Sequence, residues 1–126
     1  MSEFLAYAGP KFTIEWYHDK KGKSQPLNYF NELENSQKRK LLQLLKLMGD
    51  LGQIRNKEKF NSEGDQIYAF KPQPDRFLCF FLKGKRIIIT NAFKKKARKL
   101  PKREKEKALS YKKCCESRLI KGDYYE

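Results

Sequence analysis

The spacing of apolar and polar residues predicts a strand and two helices in the first half of the chain. Phe12–Tyr17 alternates apolar and polar side chains until its end, which is the period of a half-buried strand. Pro26 suits the first turn of a helix, whose apolar residues recur at helical spacing as far as Leu33. A second helix is predicted from Ser36 to Leu51, because five apolar residues share one face, and Gly52 is predicted to end it.

The second half of the chain predicts three strands and a last helix. Residues 53–66 are polar and rich in turn formers, which predicts a loop. The middle strand is a continuous apolar run, as expected of a central strand covered on both faces. The short turn Lys83-Gly84-Lys85 makes the last two strands antiparallel. The predicted strands are Ile67–Lys71, Arg76–Leu82 and Arg86–Phe93, and the charged last helix runs from Pro101 to about Arg118.

The order of these elements predicts the fold class. The order β-α-α-β-β-β-α indicates an α+β protein, with helices packed on one face of a mainly antiparallel sheet. A chain of 126 residues is too short for two independent cores, so residues 1–126 are expected to form one domain.

Positive charge dominates the composition and is unevenly distributed. The formal net charge is +14, yet residues 1–35 hold four basic and five acidic side chains. Lys83–Lys107 holds twelve basic and two acidic residues. Such self-repulsion favours an anionic partner, with nucleic acid ahead of an acidic protein or an anionic membrane. A merely solvated basic face is the weaker alternative, because the basic run adjoins an apolar strand.

Cysteine usage and the absence of long apolar stretches predict a cytoplasmic protein. The three cysteines are odd in number and two are adjacent, which does not suit a disulfide framework. Cys79 lies in an apolar run and is expected in the core. Metal-ligand spacings and paired carboxylates are missing, so neither a metal nor a cofactor is expected. The sequence also lacks a signal-peptide pattern and a membrane-length apolar run, so no membrane partner is expected.

Several short motifs together resemble a known toxin family. Ile67-Tyr68 is a strand motif, and Arg76 opens the aromatic strand. The last strand ends in Ala92-Phe93 and a lysine cluster, and a Pro-x-x-Glu-x-x-x-Ala pattern begins at Pro101. This combination resembles the HigB branch of the RelE/ParE toxins, in the form often called phage Gp49-like. Where that family usually has an arginine three residues after the strand tyrosine, this sequence has Lys71, which keeps the charge but not the bidentate fork.

The resemblance implies the small RelE-like fold and a specific activity. A protein of this kind is the toxin of a type II toxin–antitoxin system, inhibited by a HigA-like helix-turn-helix antitoxin. It is a ribosome-dependent endoribonuclease that cleaves mRNA and so inhibits translation. The reaction is metal-independent: the ribose 2′-OH attacks the adjacent phosphate and leaves a 2′,3′-cyclic phosphate. Its partners are the ribosome, mRNA and the antitoxin.

The chemistry of such a site needs a base, positive charge on the phosphorane and an acid. The only histidine, His18, follows the first strand among polar residues. A lone histidine in such a segment is more often a surface residue than a catalytic one. A Lys/Arg-rich site is the other solution, since clustered cations lower a lysine pKa and guanidinium groups stabilise phosphoryl charge. By resemblance, Arg76 binds the phosphate, Lys71 is the acid/base group, and Lys94 or Lys95 holds the scissile phosphate. Which of the three lysines is base or acid stays open.

Neighbouring residues are candidates for RNA binding. The aromatics would stack on bases and the cations would contact the backbone. For the aromatics the alternative is core packing, and for the lysines it is general RNA attraction without chemistry. The candidates are Tyr68, Phe93, Lys96, Arg98 and Lys99.

Two other functions remain open at this point. One is a ParE-like gyrase-inhibiting toxin without catalysis, which the basic end of the last strand argues against. The other is a non-catalytic RNA-binding protein, which the charge alone would allow.

Glu104 and Glu106 alternate with lysines and are interpreted as a solvated helix face.

Overall fold

The computed structural model describes residues 3–125, which form a six-stranded sheet and three helices. The α+β class is therefore confirmed. The strands are β1 (Leu5–Ala8), β2 (Thr13–Trp16), β3 (Phe60–Ser62), β4 (Tyr68–Phe70), β5 (Asp75–Leu82) and β6 (Arg86–Lys94). The helices are α1 (Gln25–Asn31), α2 (Asn35–Leu51) and α3 (Lys102–Lys121).

The sheet is mainly antiparallel, as the sequence predicts. Its order is β1-β2-β6-β5-β4-β3, and β2 with β6 is the parallel pair. The β5–β6 hairpin closes at Gly84 and Lys85, whose φ angles are 82° and 60°. Glycine adopts that backbone region without strain, which explains the tight turn. The hairpin brings the start of β5 beside the end of β6, where the basic residues lie.

Two strands were not predicted. β1 forms an edge of the sheet by pairing with β2. β3 lies inside residues 53–66, so the prediction of a plain loop there was wrong in part. The polar segment pairs with β4 because Phe60 packs its ring on that of Phe70, with centroids 4.9 Å apart. The contact of Phe60 and the free edge of β4 together explain why this polar segment forms a strand of three residues.

Helices cover both faces of the sheet, and the prediction of one covered face was wrong. β5 shows the reason, because its consecutive apolar residues point to opposite faces. Phe77 and Cys79 pack in the core under α1 and α2, and Cys79 is buried as predicted. Leu78 and Phe80 pack in a second core with Ala108 of α3.

The ends of the first two helices follow their sequence signals. The Ser24 hydroxyl accepts a hydrogen bond from the Leu27 amide, and Pro26 lies in the first turn of α1. Gly52 ends α2 with φ of 81°, as predicted. None of the helices in the described residues combines the length and apolar character needed to cross a bilayer.

Candidate active site

A cleft of about 220 Å³ opens where β4 and β5 meet the end of β6, on the face that α3 covers. Five of the predicted site residues line it, together with three that were not predicted. The predicted ones are Lys71, Arg76, Phe93, Lys95 and Arg98, and the others are Asn61, Glu63 and Leu100.

Arg76 is the buried cation of this cleft. It lies second in β5, opposite Phe93 of β6, and only 6% of it is exposed. Its Nη1 donates to the Gln73 side-chain oxygen at 3.1 Å and to the Asp75 main-chain oxygen at 3.0 Å. It takes part in none of the ion pairs within 4.0 Å that residues 3–125 form. Burial lowers the Arg76 pKa. The negative charges of Glu63 and Asp75 offset this lowering in part. The guanidinium is therefore a desolvated cation hydrogen-bonded to neutral oxygens, which favours an external anion.

Lys71 directly follows β4 and lines the same cleft. Its main-chain amide donates to the Lys59 main-chain oxygen at 2.8 Å, and its Nζ donates to the Lys57 main-chain oxygen at 3.3 Å. Burial lowers the Lys71 pKa, and the positive charges of Arg76 and Lys95 lower it further, whereas Glu63 opposes them. A lysine with a lowered pKa gives up its proton more readily near neutral pH.

Two predicted residues lie on the other face of the sheet. Lys94 ends β6 and is the immediate neighbour of Lys95, but successive residues of an extended chain point to opposite faces. Lys94 opens on a groove that Tyr29 and Glu34 also line. Tyr68 packs with the rings of Phe60 and Phe81, at 5.8 and 5.0 Å between centroids. The structure therefore does not bring Lys94 or Tyr68 to the cleft.

The segment between β6 and α3 carries the remaining cations. Arg98 lines the cleft, whereas Lys96 and Lys99 are exposed outside its lining. Lys96 and Lys99 are sequence neighbours of Lys95 and Arg98, which do line the cleft.

Glu63 and Asn61 are the site residues that the sequence did not reveal. Asn61 belongs to β3, and the Glu63 amide donates to the Ile67 main-chain oxygen at 2.7 Å. Glu63 brings a carboxylate into a lining otherwise rich in cations. The only signal was Phe60, a large apolar residue in a polar segment, which marks the strand that carries Asn61 and ends just before Glu63.

A hydrogen-bond network behind the cleft fixes the turn before Arg76. The Asp75 carboxylate is buried and accepts from the Tyr29 hydroxyl at 2.5 Å and from the Gln37 amide at 2.9 Å. Gln37 also donates to the main-chain oxygen of Gln73 at 3.1 Å. The network joins α1 and α2 to the two residues that hold the Arg76 guanidinium.

Glu104 is buried, so the interpretation of it as part of a solvated helix face was wrong. It is 9% exposed, and its side chain and main-chain oxygen both accept from the Asn91 amide. Asn91 in turn accepts from Thr90 at 2.7 Å. This polar network pins the first turn of α3 to β6 and so holds both ends of the segment that carries Lys95 and Arg98.

His18 lies away from the cleft. Its ring stacks between Phe4 and Tyr124, with centroids 4.1 and 4.4 Å away. Its Nε2 lies 3.2 Å from the Tyr124 main-chain oxygen, and burial lowers its pKa. The histidine joins the two ends of the chain rather than the candidate site.

The chemistry of the cleft is that of Lys, Arg and one carboxylate. Across residues 3–125, no group of three or more His, Cys, Asp or Glu side chains has the arrangement of a metal site. The residues that are present suit binding of a phosphate and transfer of protons around it.

The chain matches the model of one protein family. The family model described as Phage derived protein Gp49-like (DUF891) matches residues 28–113, more than half of the chain, including Lys71, Arg76 and Lys95. No curated protein matches the chain. The matched family is of the toxin type found in toxin–antitoxin pairs, which implies an antitoxin partner in general. The chain belongs to the Gp49-like family of phage-derived proteins, within the RelE/HigB toxin-like group.

Proposed function

We propose that this protein is a one-domain ribosome-dependent endoribonuclease, the toxin of a type II toxin–antitoxin system. It cleaves mRNA in the cytoplasm, stops translation and is held inactive by a HigA-like helix-turn-helix antitoxin. The observation that carries the proposal is the buried Arg76 guanidinium, which lacks an ion-pair partner within 4.0 Å in the described residues and shares a cleft with Lys71, Lys95 and Arg98. A backbone phosphate supplies the missing anion.

The cleft contains the groups for cleavage by the ribose 2′-OH. A base removes the 2′-OH proton, the 2′-oxygen bonds to phosphorus, and the bond to the 5′-oxygen breaks as that oxygen gains a proton. The products are a 2′,3′-cyclic phosphate and a 5′-hydroxyl. Arg76, with Lys95 and Arg98, stabilises the charge on the phosphorane. Glu63 and Lys71 are the groups that exchange protons: the carboxylate accepts, and the ammonium with its lowered pKa donates.

The surroundings of the cleft suit an RNA chain. Phe93 lines it and offers a half-buried ring on which a base stacks. Lys96 and Lys99 contact the backbone on either side of the scissile phosphate. In this arrangement Lys94 and Tyr68 have no contact with the reacting phosphate, because they lie on the opposite face of the sheet.

Expression in growing bacteria tests the proposal with adjacent residues as a matched pair. Wild-type protein stops incorporation of labelled amino acids within minutes, with no change in plasmid supercoiling. Lys95→Ala restores translation, because it removes a cation from the cleft, and Lys94→Ala leaves the toxicity as it was. A rise in relaxed or cleaved DNA before translation stops would instead favour the gyrase-inhibiting alternative.

A further inference from the structure

The outer side of α2 forms a groove that the cleft chemistry does not use. It encloses about 610 Å³ between α2, the segment that follows it and Pro72. The α2 residues along it include Lys40, Leu44, Leu47 and Leu51, which recur on one side of the helix. Lys40 and Leu51 are eleven helical steps apart, or about 16 Å, enough for roughly three turns of a second helix lying alongside.

An apolar row runs through the groove, flanked by the polar side chains of Gln43, Gln53 and Asn56. Leu47 is 42% exposed and Leu51 is 62% exposed, and they lie one turn apart. Ile54 and Pro72 extend the apolar lining beyond the end of α2. Single exposed leucines are common on protein surfaces, but a concave row of them is typical of a binding surface.

The groove also carries positive charge, and among its described cations only Lys40 has a side-chain hydrogen bond, to the Gln73 main-chain oxygen at 3.4 Å. Lys40, Arg55 and Lys59 line it, and no Asp or Glu occurs among its described lining residues. None of these three cations takes part in the ion pairs within 4.0 Å that residues 3–125 form. An occupant with negative charges at its borders would find complementary partners there.

We propose that the groove binds an acidic, amphipathic helical segment of the antitoxin, with apolar residues at i, i+3 and i+4 spacing. This inference rests on the proposed function as a toxin with a protein antitoxin. RNA fits the groove less well, because none of its described lining residues is aromatic and leucine side chains do not stack on bases. Pro72 follows Lys71, so the bound segment lies beside the catalytic cleft without filling it.

Two leucines of equal exposure on α2 make a matched test. Leu47 lines the groove at 42% exposure, and Leu42 lies outside the lining at 41%. The probe is the purified protein encoded by the adjacent reading frame, and the dissociation constant is measured by calorimetry at fixed salt. Leu47→Glu weakens binding by about 30-fold or more, as expected when a buried contact at an interface is replaced by a charge, and Leu42→Glu changes it by less than about threefold. Leu51→Glu repeats the test at a more exposed position.

The outcomes separate this proposal from the proposed function. Failure of the wild-type protein to bind the probe, equal effects of Leu47→Glu and Leu42→Glu, or no effect of either, would overturn the groove. Selective loss of mRNA cleavage in Leu47→Glu with unchanged affinity for the probe would assign the groove to the ribosome and also overturn it. Selective loss of binding supports it, even if the wild-type protein cleaves no mRNA, in which case the ribonuclease proposal alone fails.

Discussion

At the scale of single residues, the cleft combines positive charges that the folded protein compensates only in part, through Glu63 and Asp75. Arg76 is buried and hydrogen-bonded to neutral oxygens, and Lys71 and Lys95 lie close enough for their charges to oppose one another. The lowered pKa of Lys71 means that its protonated form is less favourable in the folded protein than in the unfolded chain. Such cost is typical of sites built to bind an anion.

Replacing Lys71 by methionine should stabilise the fold. Methionine keeps the packing of the stem and removes the ammonium, so the free energy of unfolding rises by about 0.5 to 1 kcal/mol. Urea denaturation measures this change, with Lys94→Met on the exposed opposite face as the control, expected within about 0.5 kcal/mol of wild type. A less stable Lys71→Met protein would show that the ammonium is compensated in the folded state.

His18 should make stability depend on pH in a defined direction. Its pKa is lowered in the folded protein, chiefly by burial, from the ordinary value of 6.5. The unfolded chain therefore binds the proton more readily, so stability is lost as the pH falls below about 6.5. His18 is the only histidine. Unfolding measured from pH 7 to pH 5 should show a steeper decline for wild type than for His18→Gln; parallel curves would contradict the assignment.

At the scale of elements, the network at the start of β5 joins α1 and α2 to the candidate site. Tyr29→Phe removes the hydroxyl that donates to the buried Asp75 carboxylate. A hydrogen bond to a charged group contributes about 1.5 to 3 kcal/mol, so the free energy of unfolding should fall by that amount. Because the same turn holds Arg76, cleavage should slow while the ribosome affinity stays within about threefold. Loss of affinity without loss of rate would place Tyr29 at the ribosome interface instead.

Sequence periodicity predicted the elements that bury their own apolar faces and missed those that depend on a neighbour. Most of the α2 stripe and of the β5 run is buried, as predicted, but Leu51 at the end of α2 is 62% exposed and Phe81 of β5 is 36% exposed. β3 exists because β4 offers a free edge, and the face that α3 covers depends on how the chain crosses the sheet. The local sequence pattern therefore predicts neither the pairing of β3 nor the face that α3 covers.

The candidate site was predicted in part for the same reason. Strand ends located Lys71, Arg76 and Lys95, which the structure brings into one cleft. The side of each strand end depends on register, which the sequence did not fix, so Lys94 was grouped with Lys95 although alternation separates them. Glu63 reaches the cleft only through the pairing of β3.

At the scale of the whole molecule, the charge of +14 should govern the affinity for ribosomes. Six cations, four in the cleft together with Lys96 and Lys99, would each displace counterions from RNA. The affinity should therefore fall by about 300-fold as salt rises from about 50 to about 200 mM. Filter binding with labelled ribosomes at four salt concentrations measures the slope. A change below about threefold would mean that charge is not what holds the protein to its target.

The most direct test of the ribonuclease claim is the chemistry of the cut ends on ribosomes programmed with a defined mRNA. Wild-type and Lys94→Ala proteins should both produce an upstream fragment with a 2′,3′-cyclic phosphate and a downstream fragment with a 5′-hydroxyl. Arg76→Ala should cut about 100-fold more slowly, because it lacks the buried charge that stabilises the phosphorane. Cutting by Arg76→Ala at the wild-type rate, fragments with 5′-phosphates, or intact mRNA with the wild-type protein would contradict the account.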